Sequence, residues 1–110
     1  IIKQDNDILI KEAAKALSSF SHYLAIVIPP RIEDIVLKRI KFIKYEKKKV
    51  LTVLISNDGT VKNTIIEMDK VHTQKQLDDA AYYLNNRFSG LTIKKVREKL
   101  AYQLHKEKTF

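Results

Sequence analysis

Cysteine is missing from the 110-residue sequence. Disulfides and thiolate metal sites are therefore excluded within it, and nothing in it calls for an oxidising compartment. Glycine occurs only at Gly59 and Gly90, so a phosphate-cradling loop of the G-x-x-x-x-G-K kind cannot be built. No G-x-S-x-G element is present, and there is no thiol nucleophile. No apolar run approaches the roughly 20 residues of a membrane-spanning helix, and no signal-peptide pattern is visible. The cytoplasm is the expected location. The chain opens on Ile1 rather than Met, which suggests a piece of a longer protein or a processed chain.

What is abundant is lysine. Lys and Arg together number 21 against 13 Asp and Glu, a net charge of +8. That balance suits nucleic acid or an acidic partner, but a solvated Lys-rich surface is the plainer reading. Hydrophobic residues make up 45% of the chain and charged residues 31%, the proportions of a chain that folds.

The central feature is Val50 to Met68, VLTVLISNDGTVKNTIIEM. Val50 to Ser56 is almost unbroken apolar sequence rich in β-branched residues, which suits a strand covered on both faces. Asn57-Asp58-Gly59 is a turn, with Gly free to take positive φ, and three loop residues ending in Gly fit a type I turn with a G1 bulge. Thr60 to Met68 returns as a strand with Val61, Asn63 and Ile65 on one side and Ile66 and Met68 on the other.

Before this hairpin, Asp5-Asn6-Asp7 offers N-cap side chains. Leu9, Ala13, Ala16, Leu17 and Phe20 make the stripe of an amphipathic helix, which Ser18, Ser19 and Ser21 would end. Tyr23 to Ile28 reads as a short strand stopped by Pro29-Pro30. Ile35 to Tyr45 reads as a second strand, with Ile40 and Phe42 on one face and cationic interruptions that suggest a sheet edge. After the hairpin, Thr73 and Gln76 have capping-box spacing. Leu77, Ala80, Ala81, Leu84 and Phe88 form the buried stripe of the helix that follows, and Gly90 ends it. Thr92 can cap a last helix, whose narrow stripe of Ile93, Val96, Leu100 and Leu104 resembles a coiled-coil seam in need of a partner.

Candidate chemistry is sparse. His22, His72 and His105 have no convincing metal-ligand spacing to one another or to carboxylates. Glu33-Asp34 and Asp78-Asp79 are adjacent pairs, and adjacent residues do not face the same point on a helix or strand. No catalytic, cofactor or metal residues are assigned, and an enzyme is not expected. A basic strip of Lys38, Arg39, Lys41, Lys44, Lys47, Lys48 and Lys49, with Phe42 and Tyr45 interleaved, could in principle hold a single-stranded nucleic acid, although the RNP pattern with its glycines is missing.

Three stretches together resemble one family, the heat-inducible transcription repressors of bacterial chaperone operons (HrcA). Leu17 to Pro30, LSSFSHYLAIVIPP, is similar to the family's Leu-Ser-x-Leu-Thr-x-Tyr-x-Ala segment followed by Pro, with Phe20 and Ser21 as mild departures. Asp58 to Asn63, DGTVKN, resembles its hairpin, where Gly is followed by Val-Lys-Asn. Leu84 to Thr92, LNNRFSGLT, resembles its Leu-Asn…Gly-Leu-Thr segment. The resemblance implies a modular repressor: a winged-helix domain that binds an inverted-repeat operator, then a GAF-like domain interrupted by an inserted dimerisation segment. It also implies a homodimer and a functional link to the GroEL chaperonin, which keeps the repressor active until stress diverts it to unfolded clients.

The expected fold is therefore α+β, an antiparallel sheet of about four strands with helices packed on it, GAF-like in part. Residues 1–92 are read as the first part of the GAF-like domain and 93–110 as a helix leading towards the insert. Operator-contacting residues are expected outside this chain. Ile93, Val96, Leu100 and Leu104 are the candidates for a dimer or insert helix. The alternatives are a nucleic-acid-binding module using the Lys38 to Lys49 strip, or a small-ligand sensor.

Overall fold

The computed structural model describes residues 2–26 and 30–106, with side chains from Ala13 onward apart from Pro30. Its elements are α1 (Ile2–Ile26), α2 (Pro30–Glu33), β1 (Leu37–Lys44), β2 (Lys49–Ser56), β3 (Val61–Glu67), α3 (Gln74–Phe88) and α4 (Ile93–Lys106). The fold is α+β. Strand order is β1-β2-β3, antiparallel throughout, so β2 is central and the other two are edges.

The described residues hold three strands rather than four. Tyr23 to Ile26 is the last turn of α1 and not a strand, and the remainder of that stretch, 27–29, lies outside the described residues. A short apolar run is ambiguous by itself. Here Leu24 continues the stripe of Ala13, Ala16, Leu17 and Phe20, all buried in the core, so packing on one helix face decides it. The serines do not stop the helix either. Ser18 faces solvent, and Ser19 is buried with side-chain partners of its own. Asp5 to Asp7 lie inside α1 instead of capping it, and the side chain of Leu9 is outside the described set.

The hairpin forms as its residues require. The Gly59 amide donates to the Ser56 carbonyl at 3.0 Å, the Ser56 amide donates to Thr60 at 2.8 Å, and Gly59 sits at φ +90°. The Asp58 carboxylate accepts from the Ser56 hydroxyl and from the Thr60 amide. Those bonds hold its pKa down to about 2. On the helix side β2 buries Val50, Thr52, Leu54 and Ser56; on the other it leaves Leu51, Val53 and Ile55 half-exposed. The expected cover on both faces is thus absent among the described residues.

Register is irregular between Leu37 and Arg39. The extra residue, Lys38, lets Leu37 stay buried and restores alternation so that Ile40 and Phe42 point inward. Phe42 meets Phe20 of α1 edge to face, with centroids 5.1 Å apart. The capping box of α3 is complete. The Gln76 amide donates to Thr73 Oγ1 at 3.0 Å, and the Thr73 amide donates to Gln76 Oε1 at 3.1 Å. Leu77, Ala80, Ala81, Leu84 and Phe88 are all buried, and Gly90, at φ +94°, turns the chain out of α3. The Lys95 amide donates to Thr92 Oγ1 at 3.2 Å, which caps α4. Ile93, Val96 and Leu100 are then buried in the same core, with Leu104 half-buried against it. α1 packs on both α3 and α4, so the partner helix that this stripe needed lies within the chain.

Candidate functional surface

The two edges of the sheet differ. β1 is closed by amide side chains from α3. Asn85 Oδ1 accepts from the Ile40 amide at 2.8 Å while Asn85 Nδ2 donates to the Ile40 carbonyl at 3.0 Å. Gln74 Oε1 accepts from the Lys44 amide and Gln74 Nε2 donates to the Phe42 carbonyl, both at 2.8 Å. Ser89 Oγ donates to the Lys38 carbonyl at 3.1 Å. Backbone groups that would otherwise template another strand are thereby occupied.

β3 has no such closure among the described residues. Thr60 and Met68 bond to the ends of the neighbouring strand. By antiparallel alternation Lys62, Thr64 and Ile66 therefore face β2, and the backbone groups of Val61, Asn63, Ile65 and Glu67 face away from it. The sheet face remote from the helices is apolar at its centre. Ile43, Leu51 and Ile65 lie in one cross-strand row, and Ile55 and Val61 pair in another. Ile43 is 43%, Ile65 49% and Val61 53% exposed.

The basic strip is dispersed by the fold. Arg39 and Lys41 are exposed on that outer face, and Lys38 is the exposed residue at the irregularity. Lys44 turns back so that its Nζ donates to the His72 carbonyl at 2.9 Å. Lys47, Lys48 and Lys49 lie at the β1–β2 turn. Phe42 is buried, so of the two interleaved aromatics only Tyr45 is exposed.

Sequence spacing missed one polar cluster altogether. Ser19 of α1 donates to Asp69 Oδ1, and His72 Nε2 lies 2.9 Å from the same hydroxyl. With the Ser19 proton directed at Asp69, His72 must present Nε2–H as the donor. Burial pushes the His72 imidazole below its ordinary pKa, with the Asp69 charge opposing. The Ser19 hydroxyl holds the Asp69 carboxyl below its ordinary value. This is no nucleophilic triad. Asp69 engages the serine instead of orienting the histidine, and Ser19 and His72 are both buried. The three residues are 50 and 53 positions apart in pairs with Ser19, and no short-range signal could have joined them.

His22 and His105 are exposed. Among the described residues no three His, Cys, Asp or Glu side chains gather where they could hold a metal. Glu33 Oε2 accepts from Arg97 Nη1 at 2.6 Å, which ties α2 to α4, and Asp79 pairs with Lys75 on α3. A shallow apolar slot of about 30 Å³ opens beside β3, lined by Phe20, Tyr23, Leu24, Ile32, Thr64 and Ile66 among others. It has room for about one water. A wider, open cleft of about 420 Å³ lies by the hairpin turn, among Arg31, Asp34, Asp58 and Lys62. Among the described residues no helix is long and apolar enough to cross a membrane.

The family model described as HrcA protein C terminal domain matches residues 7–110. The chain belongs to this family. It is 31% identical over 105 residues to the heat-inducible transcription repressor HrcA of Geobacter sulfurreducens, covering 96% of this chain and 31% of that protein. It is 33% identical over 109 residues to HrcA of Thermodesulfovibrio yellowstonii, covering 99% of this chain and again 31% of the relative. HrcA of Methylobacillus flagellatus is 30% identical over 96 residues, 87% of this chain and 28% of its own. The chain thus spans about a third of the length of these curated relatives. No solved structure matches it.

The HrcA-like segments have structural roles that can now be named. Leu17, Phe20 and Leu24 build the α1 side of the core. Leu84 is fully buried beside Asn85, which closes the β1 edge. The Gly90 amide donates to the Leu37 carbonyl at 2.7 Å and the Leu37 amide to the Leu91 carbonyl at 2.8 Å, so the last segment holds the start of β1.

Proposed function

We propose that this chain is the regulatory and dimerisation segment of a transcription repressor that negatively controls chaperone operons. The observation that carries this reading is the family match over residues 7–110, together with relatives named as heat-inducible transcription repressors. In the whole protein an inverted-repeat operator is bound by a winged-helix domain outside these 110 residues, acting as a homodimer whose two-fold symmetry mirrors the operator. The segment up to Thr92 is the first part of a GAF-like domain, and α4 leads towards the inserted dimerisation segment. A GroEL-type chaperonin in the cytoplasm keeps the dimer competent.

Two features of the chain support this over a nucleic-acid-binding module. Lys44 is engaged at His72, and burial removes Phe42 as a stacking surface. The test compares the full-length repressor with this chain alone on a duplex carrying the inverted repeat upstream of its own chaperone genes. The full protein should bind it specifically, whereas this chain should bind it no better than random duplex. Specific, tight binding by the 110 residues alone would sink the assignment of roles.

A further inference from the structure

The sheet is finished on one side and unfinished on the other. Along β1, side chains of Gln74, Asn85 and Ser89 occupy the outward backbone groups. Along β3, the outward groups of Val61, Asn63, Ile65 and Glu67 have no partner among the described residues. The core is thin on that same side. The apolar slot opens under β3, bounded by Lys62, Thr64 and Ile66. Thr52, which also lines it, has a buried hydroxyl without a hydrogen-bond partner among the described residues.

We infer that β3 pairs along its outer edge with an additional β-strand of the same protein, supplied from outside these 110 residues. A row of free N–H and C=O groups at strand spacing is satisfied by an extended segment and not by a helix. A strand laid beside Val61 to Glu67 sends alternate side chains to the two faces of the sheet. On the helix side they cover the slot, so apolar residues belong there. On the other side they extend the apolar row of Ile43, Leu51 and Ile65.

The length of the relatives argues for this occupant. The matched region is 31% of the two HrcA relatives from Geobacter sulfurreducens and Thermodesulfovibrio yellowstonii. In a protein of that size most of the polypeptide lies elsewhere, tethered and at high effective concentration. An unpaired edge bearing Val61 and Ile65 would otherwise invite aggregation. This inference rests on the reading of the chain as one segment of a longer repressor.

The test is amide-resolved hydrogen exchange on the full-length repressor. The amides of Val61, Asn63, Ile65 and Glu67 should exchange within about tenfold of the inward amides of Lys62, Thr64 and Ile66. Outward amides exchanging roughly a hundredfold or more faster than their inward neighbours would overturn the proposal. An Asn63→Cys variant of the same protein identifies the occupant. If two copies pair through β3 around this position, oxidation links them at residue 63, because directly opposed residues lie within disulfide reach. No link at 63 together with protected outward amides is the expected result, and a dimer linked there would overturn it. Operator binding by the same preparation separates the two claims. Specific binding with an open edge removes only the strand, whereas a protected edge without specific binding removes the repressor reading.

Discussion

Asn85 holds Ile40 by both of its backbone groups, accepting from the amide at 2.8 Å and donating to the carbonyl at 3.0 Å. A single side chain thus does for β1 what a neighbouring strand would do. Substituting Asn85→Ala leaves both groups of a buried residue without that partner. The expected loss is about 1–3 kcal/mol, read as a lower urea midpoint at unchanged m-value. Asn85→Asp keeps an acceptor for the amide but sets a carboxylate against the Ile40 carbonyl, so it should fare no better than Ala. A midpoint like that of the parent chain in both variants would show that the edge is closed by something else.

The His72 contact with Ser19 predicts a pH dependence. Its folded pKa is lowered, chiefly by burial, so the unfolded state binds the extra proton. Stability contributed by neutral His72 is then complete above about pH 6.5 and falls as pH drops below that value. Urea midpoints between pH 8 and pH 5 should decline for the parent chain and flatten over that window in His72→Gln. Equal slopes for both would exclude His72 as the source. The Asp69 carboxyl has a lowered pKa, so its contribution fades only below its ordinary range near pH 4. The two effects therefore separate.

At the hairpin, Gly59 is needed for its backbone and not for space. Its φ is +90°, yet an added Cβ would meet nothing within 4 Å. Gly59→Ala should cost about 1–2 kcal/mol from conformation alone, and β-branched Gly59→Val should cost more, because such residues are outliers at positive φ. Thermal melts of the two variants check the order. Equal, negligible shifts would mean that the turn relaxes into a different form.

Leu100 tests what α4 does with its apolar stripe. It is fully buried in this chain, so Leu100→Ala should lower stability by about 2–5 kcal/mol. Exposed Tyr102 on the same helix should tolerate Ala with a change within about 0.5 kcal/mol. If Leu100→Ala instead weakened dimerisation of the full protein, measured by sedimentation, without lowering the unfolding midpoint, the stripe would serve an interface more than this core.

Features legible in the sequence are those whose partners are a few residues away. Thr73 and Gln76 close their capping box within one turn, Asp58 and Gly59 shape their own turn, and the stripe from Leu77 to Phe88 repeats at helical spacing. The α+β class and the edge position of β1 follow from the same local patterns. The family was legible as well, because its motifs are short and occur in order.

Tertiary structure decided what depends on distant partners. Tyr23 to Ile26 could be strand or helix by composition, and becomes helix because Leu24 joins Phe20 and Leu17 in one core. Ser19 sits inside α1 because Asp69 and His72 satisfy its hydroxyl there. The narrow stripe of α4 finds its partner in α1, most of the chain away. Asn85 closes a strand 45 residues before it. In each case local preference is weak or divided, and the burial and hydrogen bonding that choose between outcomes exist only once the chain has brought those residues together.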